Sequence, residues 1–546
     1  MKEFSEVSHD EYSKGLRRFN KSRRMQGQFF DLFNLKPTQF GLVPFDPMIM
    51  PISLANNGLS DETFPFPQLF IGKKHTFILG RNRIFYVNPL DWTQLYQLTT
   101  YDAASPLVEK SIATGGSWEF IDFWDTWLFT NGVCTIFGSG QDTMLGNSFK
   151  VYVQDTVPVA CGVDHKGRAI FGGFTMGSFW DSTWQTFWNA WDSTNQDTGI
   201  SSSRLEEGNT VTMPIGDQWI WWSSIGGGDM LMLFYPTLFG TTGHVTTSGY
   251  DATKPIILDI LKKNEQGFMP MPFQGRVTAI KPLGNFLIVY STEGVAAIDP
   301  VVSPAPTYRT KNLQLGGISS RGAVAGDDKN HVYMDKSGLL MRIKANLEVE
   351  PLGYREYLFT SIGKDVLISH VNNPQNLDSF GEFYISDGSK NWGLTENGLF
   401  QHGQSITSAY YFQGVTMGLG SELYNPVDVV GRIGQDIIDF KLPGFKTIEH
   451  IRLVGRETLW SEEDSIALTV ALDYRYKMGD DQSWNTTSYK GVNKEGVVTF
   501  PVTALEFRLR ILICDYENLD IEYAEFSIKH GDKRYKRSVP ISQAYS

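Results

Sequence analysis

One hairpin phrase recurs along this chain, and any fold it adopts must accommodate the repeats. An apolar strand runs into a short polar turn, a glycine follows, and a second apolar strand returns. Copies read WDTWLFTNGVCTIF (Trp124 to Phe137), LGNFLIVYSTEGVAAID (Leu283 to Asp299) and DDKNHVYMDKSGLLMRI (Asp327 to Ile343), with a looser GRNRIFYVNP (Gly80 to Pro89). Residues of high strand propensity flank each turn, and glycine stands where a tight turn calls for a positive φ. Repeated antiparallel units of this kind predict an all-β chain built as a radial array, a β-propeller.

The phrases do not fill the chain. At 546 residues it is long enough for about two to four domains. Residues 1–60 read as an extended N-terminal arm. A basic cluster of Lys14, Arg17, Arg18, Lys21, Arg23 and Arg24 is followed by FFDLFNLKPTQFGLVPFDPMIMPISL, broken by Pro37, Pro44, Pro47 and Pro51. Prolines at that density forbid a long helix or a central strand. The arm is expected to lie over a surface, its own domain or a partner's. Residues 61–430 read as the propeller, with an aromatic-rich insertion at about 175–225. There Trp180, Trp184, Trp188 and Trp191 recur at helical spacing, which puts them on one helix face. Such a face packs on a core or a neighbouring subunit, or stays exposed as a partner contact. Residues 431–546 read as a C-terminal β-sandwich. SIALTVALDYRYK and ALEFRLRILIC alternate strictly between apolar and polar positions, the signature of strands with one buried and one wet face.

Catalytic patterns are scarce. HExxH, GxSxG and Walker motifs are missing, as is a helix-backed GxGxxG, so the chain is read as a non-enzyme without a cofactor or metal. His165, His331 and His450 lie in or beside strands and read as packed residues. Asp327 and Asp328 precede a strand without the further spaced carboxylates of a calcium loop, and read as a turn. Cys134, Cys161 and Cys514 sit in apolar segments without CxxC spacing and read as small buried residues in a reducing compartment. The 48 Lys and Arg against 60 Asp and Glu give −12, a balance that disfavours tight binding to nucleic-acid phosphate. The N-terminus carries charges where a signal peptide needs an apolar run, and no apolar stretch is long enough for a transmembrane helix.

The order of phrases from about residue 273 onward resembles the tail-hub or tail-nozzle proteins of short-tailed bacteriophages, also described as packaged-DNA stabilisation proteins. The likeness rests on LGNFLIVYSTEGVAAID, LGGISSRGAVAGDDKNHVYMDKSGLLMRI, KDVLISHV, FYISDGSKNWGLTENGLF and LEFRLRILI, and covers about half the chain. The Trp-rich insertion and the long arm lie outside that pattern. The resemblance implies a structural protein of the virion tail, assembled in the host cytoplasm. It implies a hexameric ring below a portal-adaptor protein, contacts with tail fibre, spike or needle proteins, and a channel that retains packaged double-stranded DNA and lets it leave without binding it specifically. In such an assembly Arg17, Arg18, Lys21, Arg23, Arg24 and the four tryptophans of the insertion become candidate partner contacts. A rival reading is a glycan- or receptor-binding propeller, as in a tail fibre. A propeller glycoside hydrolase is a weaker third, because no carboxylate pair is singled out.

Overall fold

The computed structural model describes residues 4–9, 14–18, 28–45, 48, 58–59, 62–89, 91–102, 108–123, 126–139, 150–154, 159–174, 217–223, 225, 267–301, 307–372, 380–412, 415–419, 431–435, 437–438, 440, 444–455, 468–476, 484–513 and 521–530. Among them the chain is almost entirely β. One short helix, α1 (Arg355–Leu358), runs into a single 3-10 turn, Phe359–Ser361.

The middle of the chain is a succession of small antiparallel sheets. The first holds β5 (Gln68–Ile71), β6 (Thr76–Leu79), β7 (Ile84–Val87) and β8 (Leu95–Gln97). The second holds β10 (Glu119–Phe123), β11 (Thr126–Thr130), β12 (Thr135–Ser139) and β13 (Lys150–Gln154), with β9 (Thr100–Asp102) parallel to β13. The third holds β14 (Cys161–His165), β15 (Arg168–Gly172), β16 (Trp219–Trp222) and β17 (Gly267–Pro270). The fourth holds β18 (Val277–Leu283), β19 (Phe286–Ser291), β20 (Gly294–Val301) and β21 (Thr307–Leu315). The fifth holds β22 (Val324–Gly326), β23 (Asn330–Met334), β24 (Leu340–Lys344) and β25 (Val349–Gly353). The sixth unit holds β26 (Leu367–Val371), β27 (Glu382–Ser386), β28 (Asn391–Thr395) and β29 (Gly398–His402). A hairpin follows, β30 (Ser408–Phe412) with β31 (Val415–Leu419).

Leading strands pack on one another in sequence: β10 on β14, β14 on β18, β18 on β22, β22 on β26, β26 on β30, and β30 on β5. Between β5 and the second sheet, the Trp118 amide donates to Gln68 Oε1 at 2.7 Å, and Phe70 meets Phe120 at 5.8 Å. The three closer phrases each form two adjacent strands of one such sheet, while the looser GRNRIFYVNP supplies only β7. Gly132 and Gly338 hold φ of 82° and 80°, a region where a Cβ is strained, whereas Gly294 opens β20 without a positive φ.

The aromatic-rich insertion is shorter than expected. WIWW is strand β16, with Ile170 opposite Trp222 and Gly172 opposite Ile220. Its isoleucine and last two tryptophans are buried. The residues between β15 and β16, with Trp180, Trp184, Trp188 and Trp191, lie outside the described residues.

The N-terminal segment departs further from expectation. The described part is not a strap over a surface but is woven into the chain's own sheets. β1 (Phe4–His9) pairs antiparallel with β39 (Tyr523–His530). β2 (Phe29–Phe33) lies between β29, to which it is parallel, and β32 (Gly431–Gln435), to which it is antiparallel. FFDLF lies upstream of the first proline, so nothing bars it from a central place. Pro37 and Pro44 fall on the two-stranded hairpin of β3 (Leu35–Thr38) and β4 (Gly41–Pro44), where lost donors are tolerated. Nearby, Gly15 passes against β29 so closely that a Cβ on it would stand 2.5 Å from the Leu399 carbonyl oxygen.

Through β2, the sixth sheet continues without a break into the C-terminal part. The order runs β26-β27-β28-β29-β2-β32-β38-β34-β35, with β36 also on β34. Here β34 is Leu468–Arg475, β35 Asn485–Thr486, β36 Lys490–Gly491 and β38 Glu506–Ile513. A second sheet, β1-β39-β33-β37, contains β33 (Lys446–Val454) and β37 (Val497–Ala504). Inward residues of both sheets, among them Ile448, Ile451, Leu472, Leu509, Ile511 and Phe526, share one buried cluster with Leu32, Trp392 and Phe400. The alternation in LEFRLRILI is realised: Phe507, Leu509, Ile511 and Ile513 are buried, and Arg508, Arg510 and Leu512 are half-buried.

Candidate functional site

Side chains from non-adjacent units meet where the leading strands converge. Lys281 on β18 reaches Glu119, the first residue of β10, with Nζ 2.7 Å from Oε2. Glu119 is nearly buried, its side chain 6% exposed. Arg321, just ahead of β22, sends Nη1 to the carbonyl oxygens of Ser117 at 3.3 Å and Thr130 at 3.2 Å. Arg276, just ahead of β18, donates from Nη2 to the Gly132 carbonyl at 3.3 Å. Gly132 is required here twice over, because its φ is positive and a Cβ would stand 1.9 Å from Arg321 Nη2. The fourth and fifth units are thus tied to the second, across the third.

Burial dominates the electrostatics on the inner side of the cluster, while the Lys281 side chain stays 29% exposed. Burial, reinforced by Glu119, pushes the Cys161 thiol well above its ordinary range, so it is a protonated, poor nucleophile at neutral pH. Burial, again with Glu119 adding to it, raises the Tyr410 phenol on β30. Burial lowers the Arg321 guanidinium, opposed by Glu119. Chemically, the cluster holds the second, fourth and fifth units together. Arg321→Ala leaves two carbonyls without their charged donor and is expected to cost about 2–3 kcal/mol. A urea midpoint checks this. Arg321→Lys should recover only part, because a point charge does not reproduce the planar fork.

Of the candidate contacts read from the sequence, two lie among the described residues. Arg17 pairs with Glu356 at 2.5 Å, and the Arg18 carbonyl accepts from the Tyr354 amide at 2.8 Å, so both are engaged with the stretch around α1. Lys21, Arg23 and Arg24 lie outside the described residues, as does Cys514. His331 is fully buried and bonded, and Asp327 Oδ1 caps the turn by accepting from the Lys329 and Asn330 amides at 2.9 and 3.0 Å. The cluster of Glu119, Lys281, Arg276 and Arg321 has no sequence motif. Its one visible trace is the placement of Arg276 and Arg321 just before strands that lead successive units. Among the described residues no His, Cys, Asp and Glu cluster suits a metal ion, and no helix is long and apolar enough to cross a membrane.

No protein-family model matches the chain, and no curated protein matches it. Among solved structures it is similar to PorZ, an essential bacterial surface component of the type-IX secretion system of Porphyromonas gingivalis. The identity there is 8% and the TM-score 0.30, over 67% of this chain and 35% of that one, so the chain spans about a third of that structure's length. It is also similar to the Pan2 WD40 domain of Neurospora crassa, at 6% identity and a TM-score of 0.31, over 64% of this chain and 86% of that one. Scores this low carry no argument for function.

Proposed function

We propose that this chain is a structural ring subunit, the tail nozzle or hub of a short-tailed bacteriophage, and not an enzyme. In this reading the six small sheets and the β30–β31 hairpin form a closed propeller, and the two C-terminal sheets form a sandwich fused to it. The observation that carries the reading is the single sheet running from β26 to β35 through β2. A hinge between propeller and sandwich would have to break the Phe33–Gln401 pairing that joins β2 to β29 and open a shared apolar core. A stiff wedge follows, the shape a heterologous ring needs from each subunit. The order of phrases from residue 273 supports the same reading. Six wedges enclose a lumen, and the net charge of −12 keeps passing DNA mobile by repulsion.

The test is an image of the assembled virion. The expected result is a six-fold ring of this chain in the tail tube, below the portal adaptor, and a purified chain that closes into that ring on its adaptor. A tail tube without this chain overturns the proposal. Selective capture of a glycan on an array, with no ring formation, favours the receptor-binding reading instead.

A further inference from the structure

The wet face of the C-terminal sheet carries an ordered set of arginines. β2, β32, β38 and β34 lie side by side, with Gly434 opposite Arg510 and Arg432 opposite Leu512. Arg432 stacks on Phe33 at 4.6 Å, Arg510 on Phe30 at 5.6 Å, and Arg508 lies between Phe30 at 5.1 Å and Trp484 at 4.2 Å. Carboxylates hold two of them at the inner nitrogen: Arg432 Nε is 3.5 Å from Asp31 Oδ2, and Arg510 Nε 2.7 Å from Asp473 Oδ2. The side chains of Arg432 and Arg510 are 45% and 41% exposed. Among the described residues their terminal nitrogens make no hydrogen bond or ion pair. Both guanidinium groups act on Asp31, whose carboxyl is raised by burial against their pull.

Rings beneath and carboxylates at Nε fix the guanidinium groups of Arg432 and Arg510, so little rotamer freedom remains to be lost there on binding. Outer edges fixed in this way match the two oxygens of a carboxylate. Arg432 and Arg510 stand diagonally on neighbouring strands, about 7–8 Å apart, close to the repeat of every second side chain in an extended partner.

We propose that this face is an oxyanion-binding platform, with Arg432 and Arg510 as ligands, that takes the carboxylates of an extended acidic segment of a partner protein. Charge decides for a short acidic segment over nucleic acid. The chain carries 48 basic against 60 acidic side chains, so a long polyanion meets the net negative charge of the whole chain, whereas a short segment meets chiefly the outer edges of the arginines, with Asp31 and Asp473 at their inner nitrogens. The proposal holds whether or not the chain forms a tail ring.

The experiment titrates a labelled oligo-glutamate peptide into the full chain at low salt, followed by anisotropy, with duplex DNA and inorganic phosphate as separate arms. Binding should weaken as salt rises. It should fall on the order of a hundredfold in Arg432→Ala/Arg510→Ala, which loses two charge-assisted contacts. Arg309→Ala, an exposed arginine on β21, should bind as the native chain does. If the alanine pair does not fold, Arg432→Lys/Arg510→Lys keeps the charge and removes the fork, and should weaken binding about tenfold. Native affinity in that lysine variant or in the alanine variant overturns the proposal, as does no peptide binding. Tighter binding of DNA or phosphate than of peptide through the same arginines overturns the choice of ligand.

Discussion

Glu506→Ala is expected to lower folding stability by about 3–5 kcal/mol, measured as a shift in the denaturant midpoint at unchanged slope. Glu506 and Arg475 face each other across β38 and β34 and form an ion pair with side chains 3% and 1% exposed. The alternation in SIALTVALDYRYK predicts that Arg475 faces water, yet it is buried together with Asp473. Removing the glutamate leaves a buried guanidinium with its stack on Trp484 at 4.4 Å but without its carboxylate. Buried pairs cost much of their attraction in desolvation, so replacing both partners is a different experiment. Arg475→Met/Glu506→Leu should recover most of the loss. A double variant as unstable as Glu506→Ala would show that packing around the pair, and not the unpaired charge, sets the cost.

The second large effect is a loss of stability in acid that traces to buried neutral histidines. His331 on β23 joins the fourth and fifth units: its Nε2 stands 2.7 Å from the Pro282 carbonyl and its Nδ1 2.9 Å from the Tyr290 hydroxyl. A carbonyl only accepts, so Nε2 carries the proton and Nδ1 accepts from the tyrosine. Protonating Nδ1 would take that acceptor away, so the Tyr290 hydroxyl would have to turn and accept instead, and a charge would stand in a buried site. Burial lowers His331 to about 4, with Lys281 and His370 lowering it, and the Pro282 bond and Asp327 raising it. Burial likewise lowers His402, stacked on Phe45 at 4.6 Å, to about 3.

The sign follows from linkage. Between the unfolded value of 6.5 and the folded value of about 4, the unfolded chain binds the proton and the folded chain does not. Stability is therefore full above pH 6.5 and falls as pH drops towards 4. For His331 the loss is about 3 kcal/mol at the bottom of that window. His331→Gln keeps a donor and an acceptor but cannot titrate, so unfolding curves from pH 7 to 4 should show a shallower decline. A decline as steep as the native one would remove His331 as its source.

Much of the local structure was legible. The turns at Asn131-Gly132 and Ser337-Gly338, and the alternation in LEFRLRILI, depend on neighbours within a few residues, and each forms as its pattern requires. WIWW falls within the insertion at about 175–225 because an apolar run of four has no period, and its role as a strand depends on pairing with Ile170, Phe171 and Gly172. The cluster around Glu119 was not legible, because Glu119, Lys281 and Arg321 are ordinary surface residue types until the units bring them together.

Local pattern alone specifies an all-β chain of repeated hairpins, followed by strands with one apolar face. Period and turn chemistry are written in adjacent residues. Only the tertiary structure decided that FFDLF joins the sixth sheet to the C-terminal strands, that Arg475 is buried, and that a row of arginines shares one wet face. Those outcomes rest on pairings such as Phe33 with Gln401 and Arg432, between residues hundreds of positions apart. Backbone groups at such separations find partners through the shape of the whole core, and no local pattern records which strand will lie beside which.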